Sequence, residues 1–170
     1  MQPKLFSQRL LLACGSALCA AMMATALYFQ HVEGLEPCPL CIIQRVIVIA
    51  LGVVMLVAAV HNPARIGRRL YGALIVLIAA AGVGVAGRHV WLQSLPPDQV
   101  PECGPGLEYL LNTFPLVETL EMVFKGSGEC AEVLWTFLGL SIPGWTLVMF
   151  TAMMGFGLFI TFSRRGLPAG

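Results

Sequence analysis

Four cysteines carry the chemistry of this chain. Cys38 and Cys41 lie in Glu36-Pro37-Cys38-Pro39-Leu40-Cys41-Ile42-Ile43-Gln44-Arg45. Pro39 suits the first position of a helix. Cys38 is then the predicted N-cap and Cys41 the third helical residue, where unpaired amides and the positive end of the helix dipole favour a thiolate. A Cys-x-x-Cys pair at a helix start is a recurrent redox arrangement, because a thiol of lowered pKa leaves readily in disulfide exchange. No strand pattern surrounds the pair, which excludes a thioredoxin fold around it. Cys103 and Cys130 sit in Pro101-Glu102-Cys103-Gly104-Pro105-Gly106 and Lys125-Gly126-Ser127-Gly128-Glu129-Cys130, turn-rich settings that predict exposure and mobility. The four cysteines allow three pairings, 38–41 with 103–130, 38–103 with 41–130, and 38–130 with 41–103.

Two more residues approach the pair. Arg45 follows Cys41 by one helical turn on the same face, about one turn inside an apolar span, where a charge is costly and often functional. It is placed to hold a thiolate or polarise a ligand carbonyl, or else to snorkel. His89 reaches the same outer level from the third span, so Cys41, Arg45 and His89 are expected to line one site. Arg88 is expected to snorkel to the lipid surface. Cys14 and Cys19 lie inside the first span, about 140° apart on a helix, and read as small apolar side chains rather than redox groups.

The elements that position these residues follow from composition. The chain has 170 residues, 58% hydrophobic and 11% charged, with a mean hydropathy of +0.83. A soluble domain carries about 25% charge, and disorder requires low hydrophobicity. The chain therefore reads as an all-α membrane protein, a single four-transmembrane-helix bundle. A net charge of +1 offers no basic surface for nucleic acid. Apolar runs long enough to cross a bilayer occur at about 10–29, 42–60, 70–92 and 145–162. The first could be a signal peptide, but its length and the three spans that follow favour a mature helix. The external loops are about 30–41 and 93–143. In the second, Leu116, Val117, Leu120, Val123 and Phe124 share a helical face opposite Glu118 and Glu121, which predicts a short amphipathic helix, on the membrane surface or on the rim of the bundle. Gly82, Gly84 and Gly87 in the third span, and Gly155 and Gly157 in the fourth, suggest close helix packing.

Charge sets an expected orientation. Lys4, Arg9, Arg65, Arg68, Arg69, Arg164 and Arg165 fall on the side of the termini, and all nine acidic residues fall in the two opposite loops. The termini are expected in the cytoplasm and the four loop cysteines in an oxidising exterior, where disulfides persist.

Taken together, these residues resemble the bacterial disulfide bond formation protein B (DsbB) family of inner-membrane thiol oxidases. The resemblance covers nearly the whole chain: four spans, Cys-x-x-Cys-x-x-x-Arg at Cys38, Cys41 and Arg45, a second external cysteine pair, and the stretch Gly128-Glu129-Cys130-Ala131-Glu132, Trp135, Phe137-Leu138-Gly139-Leu140, Ile142-Pro143 and Trp145. Gln44 departs from it, standing where an acidic residue can occur. The resemblance implies a mechanism. A reduced DsbA-like thioredoxin-fold oxidase of the periplasm attacks a Cys103–Cys130 disulfide, forming a mixed disulfide at Cys103. Exchange through Cys130 and Cys38 passes the electrons to Cys38–Cys41, and Cys41 reduces a bound quinone, ubiquinone or menaquinone, contacted by Arg45 and His89. The membrane quinone pool then feeds the respiratory chain. No metal belongs to this scheme. Three rivals remain: a vitamin K epoxide reductase-like oxidoreductase, whose pair lies late in the chain; a zinc site built from the four loop cysteines; and a scaffold whose loop is merely stapled.

Overall fold

The computed structural model describes residues 8–101, 109 and 112–162. Cys103, with the basic residues Lys4, Arg164 and Arg165, lies outside the described residues. The expected spans appear as α1 (Gln8–His31), α2 (Pro39–His61), α3 (Arg65–Gln93) and α6 (Ile142–Phe162). Between α3 and α6 lie a 3-10 turn (Pro97–Gln99), α4 (Leu116–Lys125), a single turn α5 (Gly128–Ala131), and a hairpin of β1 (Thr136–Phe137) and β2 (Leu140–Ser141). All four long helices are long and apolar enough to cross a membrane. The helices outrun the apolar stretches because hydropathy marks what can face lipid, not where the backbone ladder ends. At 29 residues α3 is roughly 43 Å long against a hydrocarbon core of about 30 Å, which leaves extra turns beyond the core.

The bundle packs in the order α1–α2–α3–α6. Leu51, Met55, Ala58, Ile75, Ala79 and Phe150 are fully buried between the helices, whereas Val53, Leu56, Val60, Leu77 and Phe159 face outward. That apolar exterior suits lipid and would be a liability in water. The closest helix approach is between α3 and α6. A Cβ at Gly72 would lie 3.1 Å from the Gly157 carbonyl oxygen, one at Gly157 3.0 Å from the Gly72 oxygen, and one at Gly82 2.6 Å from the Phe150 ring. The glycine expectation therefore holds for Gly82 and Gly157. It fails for Gly84, Gly87 and Gly155, beside which a Cβ would meet nothing within 4 Å; these point away from the α3–α6 seam. Gly82→Leu is expected to destabilise the bundle by ~1–3 kcal/mol through overpacking against Phe150. Gly84→Ala should be neutral or stabilise by up to ~1 kcal/mol through helix propensity. Thermal unfolding of the two variants in one detergent checks the contrast.

α4 forms where its apolar periodicity placed it. It rests on the bundle through Thr119 and Val123 and leaves Leu116, Val117, Leu120 and Phe124 exposed. Its end is held by Arg88, which donates from Nε to the Phe124 carbonyl and from a terminal nitrogen to the Lys125 carbonyl, both at 3.0 Å. Arg88 thus differs from the expected snorkelling residue: α4 offers free carbonyls at its C-terminus, and a guanidinium is the natural cap for them. One turn further along α3, the Gln93 amide donates to the Glu132 carbonyl (3.3 Å) and accepts from the Ser141 hydroxyl (2.6 Å). The outer end of α3 is therefore the post to which the long loop is tied. Aromatic contacts from Phe29 through Trp135 and Phe137 to Trp145 link α1, the hairpin and α6 at the same level, as expected of an interfacial aromatic belt.

Candidate functional site

Cys38 is the N-cap of α2 and Pro39 its first residue, so Cys41 falls in the first helical turn as expected. The Cys38 and Cys41 sulfurs are 3.1 Å apart. The short helix α5 brings Cys130 onto the same helix start. The Sγ atoms of Cys38 and Cys130 and a ring nitrogen of His89 all lie within 4.8 Å of one another, with His89 Nε2 3.7 Å from Cys38 Sγ. Cys38, His89 and Cys130 are 7%, 2% and 0% exposed, enclosed by Leu40, Val85, Leu92 and Val123. All five described cysteines are thiols in this structure. Cys14 is exposed on α1 and Cys19 is buried in the bundle core, both far in sequence from the cluster and outside its packing.

The loop is shaped to deliver Cys130. Gly126 ends α4 with φ +88, a left-handed value suited to glycine, and a Cβ there would lie 2.5 Å from Leu92. Ser127 Oγ lies 3.7 Å from the Cys130 sulfur. The Leu40 amide in the first turn of α2 also faces that sulfur, so the free amides of the helix start serve Cys130 as well as the Cys-x-x-Cys pair.

The contact with Cys130 lowers the Cys38 thiol pKa, but the Cys41 thiol and burial outweigh it and push it up to about 12 from an ordinary value of 9.0. Cys130 is pushed up first by sharing a proton with Cys38 and then by burial. Both thiols therefore stay protonated at neutral pH and become nucleophilic only as the proton leaves. In fully reduced protein, alkylation of Cys38 is expected to be slow at pH 7–8 and to rise only above pH 9, because a raised pKa moves the appearance of thiolate to higher pH. Peptide mass spectrometry after timed iodoacetamide labelling reads this directly, and a labelling step below pH 9 would contradict it.

Cys41, Arg45 and His89 do not share one cavity. A cavity of about 380 Å³ is lined by Cys38, Cys41, His89, Gln93 and the acidic Glu36, Glu129 and Glu132. A second, of about 120 Å³, is lined by Cys41, Gln44 and Arg45 together with Met22, Met23, Phe29 and Val48, and shares Glu36 with the first. Arg45 and His89 thus flank Cys41 from opposite sides, because they leave different helices toward different faces of α2. The Arg45 guanidinium donates to the Gln30 side chain and, at 3.2 Å, to the Ala26 carbonyl of α1, so it points inward across the bundle rather than to the surface. Gln44, buried between the two cavities, meets His89 Nδ1 at 3.0 Å and Thr146 Oγ1 at 2.5 Å. Sequence reading missed this Thr146–Gln44–His89 chain. Its only trace was a polar residue at the start of an apolar span.

Comparison with known proteins agrees with this geometry. The family model described as Disulfide bond formation protein DsbB matches residues 8–160. The chain belongs to the DsbB family. It is 65% identical over 136 residues to Disulfide bond formation protein B of Nitrosococcus oceani, covering 80% of each chain. It is 52% identical over 152 residues to the protein of that name from Methylococcus capsulatus, covering 89% of this chain and 93% of the relative. Against the Aromatoleum aromaticum protein of the same name, identity is 47% over 166 residues, or 98% and 99% of the two chains. Membership in the DsbB family makes this chain a multi-pass membrane protein of disulfide bond formation, with disulfide oxidoreductase activity.

Proposed function

We propose that this DsbB-family chain reoxidises a periplasmic DsbA-like thioredoxin-fold oxidase and delivers the electrons to membrane quinone in the bacterial inner membrane. The termini would be cytoplasmic and the cysteine loops periplasmic, which is the orientation the charge asymmetry favours. The observation that carries the reading is the order of the sulfurs. Cys130 lies by Cys38, Cys38 is 3.1 Å from Cys41, and Cys41 alone of the three also lines the second cavity beside Arg45.

In the proposed sequence Cys103 and Cys130 begin as one disulfide and Cys38 and Cys41 as another. A partner thiolate attacks Cys103, the Cys103–Cys130 bond breaks, and Cys130 leaves as thiolate. Cys130 attacks Cys38, a Cys38–Cys130 bond forms, and Cys41 leaves as thiolate with the electron pair. The partner's second thiol then displaces Cys103, so the partner departs oxidised and Cys103 is left reduced. Cys103 attacks Cys130, restoring Cys103–Cys130 and freeing Cys38, so that Cys38 and Cys41 hold the two electrons. The mostly apolar second cavity, with the Cys41 thiol, the Arg45 guanidinium and the Glu36 carboxylate at its lining, fits a quinone ring. Quinone supplies an acceptor of two electrons and two protons. Cys41 faces it as donor, Arg45 offers a charged donor to a ring oxygen, and Gln44 and the apolar wall restrict water. His89, on the far side of Cys41, is assigned to the Cys38–Cys130 exchange, where its Nε2 faces the sulfurs.

The test is quinone absorbance over time in a mixture of purified protein, quinone and a reduced thioredoxin-fold oxidase. Loss of absorbance that requires all three components supports the reading. No loss with either ubiquinone or menaquinone, in folded protein, would count against it.

A further inference from the structure

We infer that the reduced chain holds one Zn²⁺ on Cys38 Sγ, Cys130 Sγ and His89 Nε2. The three ligand atoms converge within 4.8 Å, and the 3.7 Å from Cys38 Sγ to His89 Nε2 is close to the spacing that Zn–S and Zn–N bonds of about 2.3 and 2.1 Å impose at tetrahedral angles. Two thiolates and an imidazole suit a borderline-soft d¹⁰ cation better than Mg²⁺ or Ca²⁺. The fourth position falls to water from the larger cavity, whose lining includes Glu36, Glu129 and Glu132. Those carboxylates give a cation an attractive approach.

A buried amide behind the ring sets its tautomer. A zinc-bound histidine usually donates its other ring N–H to an acceptor that holds the ring in place. Behind His89, Gln44 Nε2 lies 3.0 Å from Nδ1 and Gln44 Oε1 accepts from the Thr146 hydroxyl, which can also donate to the Pro143 carbonyl at 2.9 Å. Zinc binding then requires the Gln44 amide to turn end for end, so that its carbonyl accepts from Nδ1–H while the Thr146 hydroxyl donates to Pro143. In that tautomer the Nε2 lone pair faces Cys38 Sγ at 3.7 Å, and the ring gives up its hydrogen bond to the Cys130 backbone. Binding moves no electrons: two S–H bonds break, two Zn–S bonds form and two protons leave. A disulfide at either cysteine removes the site, so zinc reports the reduced state and blocks exchange by occupying the sulfur lone pairs.

The inference rests on the proposed function only for the statement that the thiols are at times free. Its test uses neither quinone nor partner. Anaerobically reduced protein in detergent is titrated with Zn²⁺ against a chromophoric chelator, and its thermal unfolding is followed with and without the ion. One equivalent bound by reduced protein, none by oxidised protein, and a raised unfolding temperature are expected. Cys130→Ser and His89→Ala should each weaken binding at least ~100-fold and Gln44→Leu ~10–100-fold, in variants that still unfold cooperatively. Cys41→Ser should still bind zinc while failing to reduce quinone, which separates this site from the proposed function. Binding unchanged in both Cys130→Ser and His89→Ala would overturn the site, as would no binding by wild type with its thiols shown to be free.

Discussion

Cys41→Ser is expected to abolish quinone-dependent turnover, by at least ~1000-fold, without unfolding the protein. The substitution changes one atom in the first turn of α2 and leaves the pairs Cys38–Cys130 and His89–Gln44 in place. A serine oxygen cannot form the disulfide whose opening and closing carries the electron pair. Cys38 then has only Cys130 within exchange distance among the described residues. In the oxidised variant, before any partner is added, Cys38 thiolate should attack Cys130 of the Cys103–Cys130 disulfide, so that a Cys38–Cys130 bond forms and Cys103 is freed as a thiol, visible by peptide mapping under non-reducing conditions. Retained turnover would place the donor elsewhere. A dead variant that also fails to form the Cys38–Cys130 bond would show that the relay itself is misassigned.

Arg45→Met is expected to raise the KM for quinone ~10–100-fold and leave the KM for the partner oxidase within about twofold. A hydrogen bond to a charged group is worth about 1.5–3 kcal/mol, and each 1.4 kcal/mol is a factor of ten. Methionine keeps much of the length and apolar stem, so packing against Met22, Met23 and Val48 in the second cavity should survive. The split between the two KM values is the informative readout. A structural role, through the bonds from Arg45 to Gln30 and Ala26, would lower stability and affect both substrates alike.

The spans were legible because lipid imposes a simple demand, some twenty apolar residues in a row, and four runs meet it. Cys38 as N-cap was legible because Pro39 suits only the first turn of a helix. α4 was legible because its apolar residues recur at helical spacing. What could not be read was anything made by side chains reaching across the loop. Arg88 on the α4 carbonyls, Gln93 on Glu132 and Ser141, and Cys130 on the α2 start are contacts over long sequence separations that leave no periodic mark. The division of Arg45 from His89 was hidden for a related reason. Depth along a helix can be counted from residue number, but the direction in which two neighbouring helices turn those residues depends on how the helices pack. The hairpin was missed because its turn, Leu138-Gly139 with φ of 51 and 79, places a branched residue where asparagine or glycine is the usual signal.

Among the described residues Cys41 is the only cysteine that borders both cavities, which also share Leu35, Glu36, Pro37, Leu134, Ile142 and Pro143. On the proposed electron path, a molecule in the larger chamber and a quinone in the smaller one would trade electrons through that sulfur. On that path the arrangement would work as a junction between two circuits. Fidelity toward a partner would then be set at the loop, and the supply of oxidising power in the membrane. Each can be altered by substitution without retuning the other.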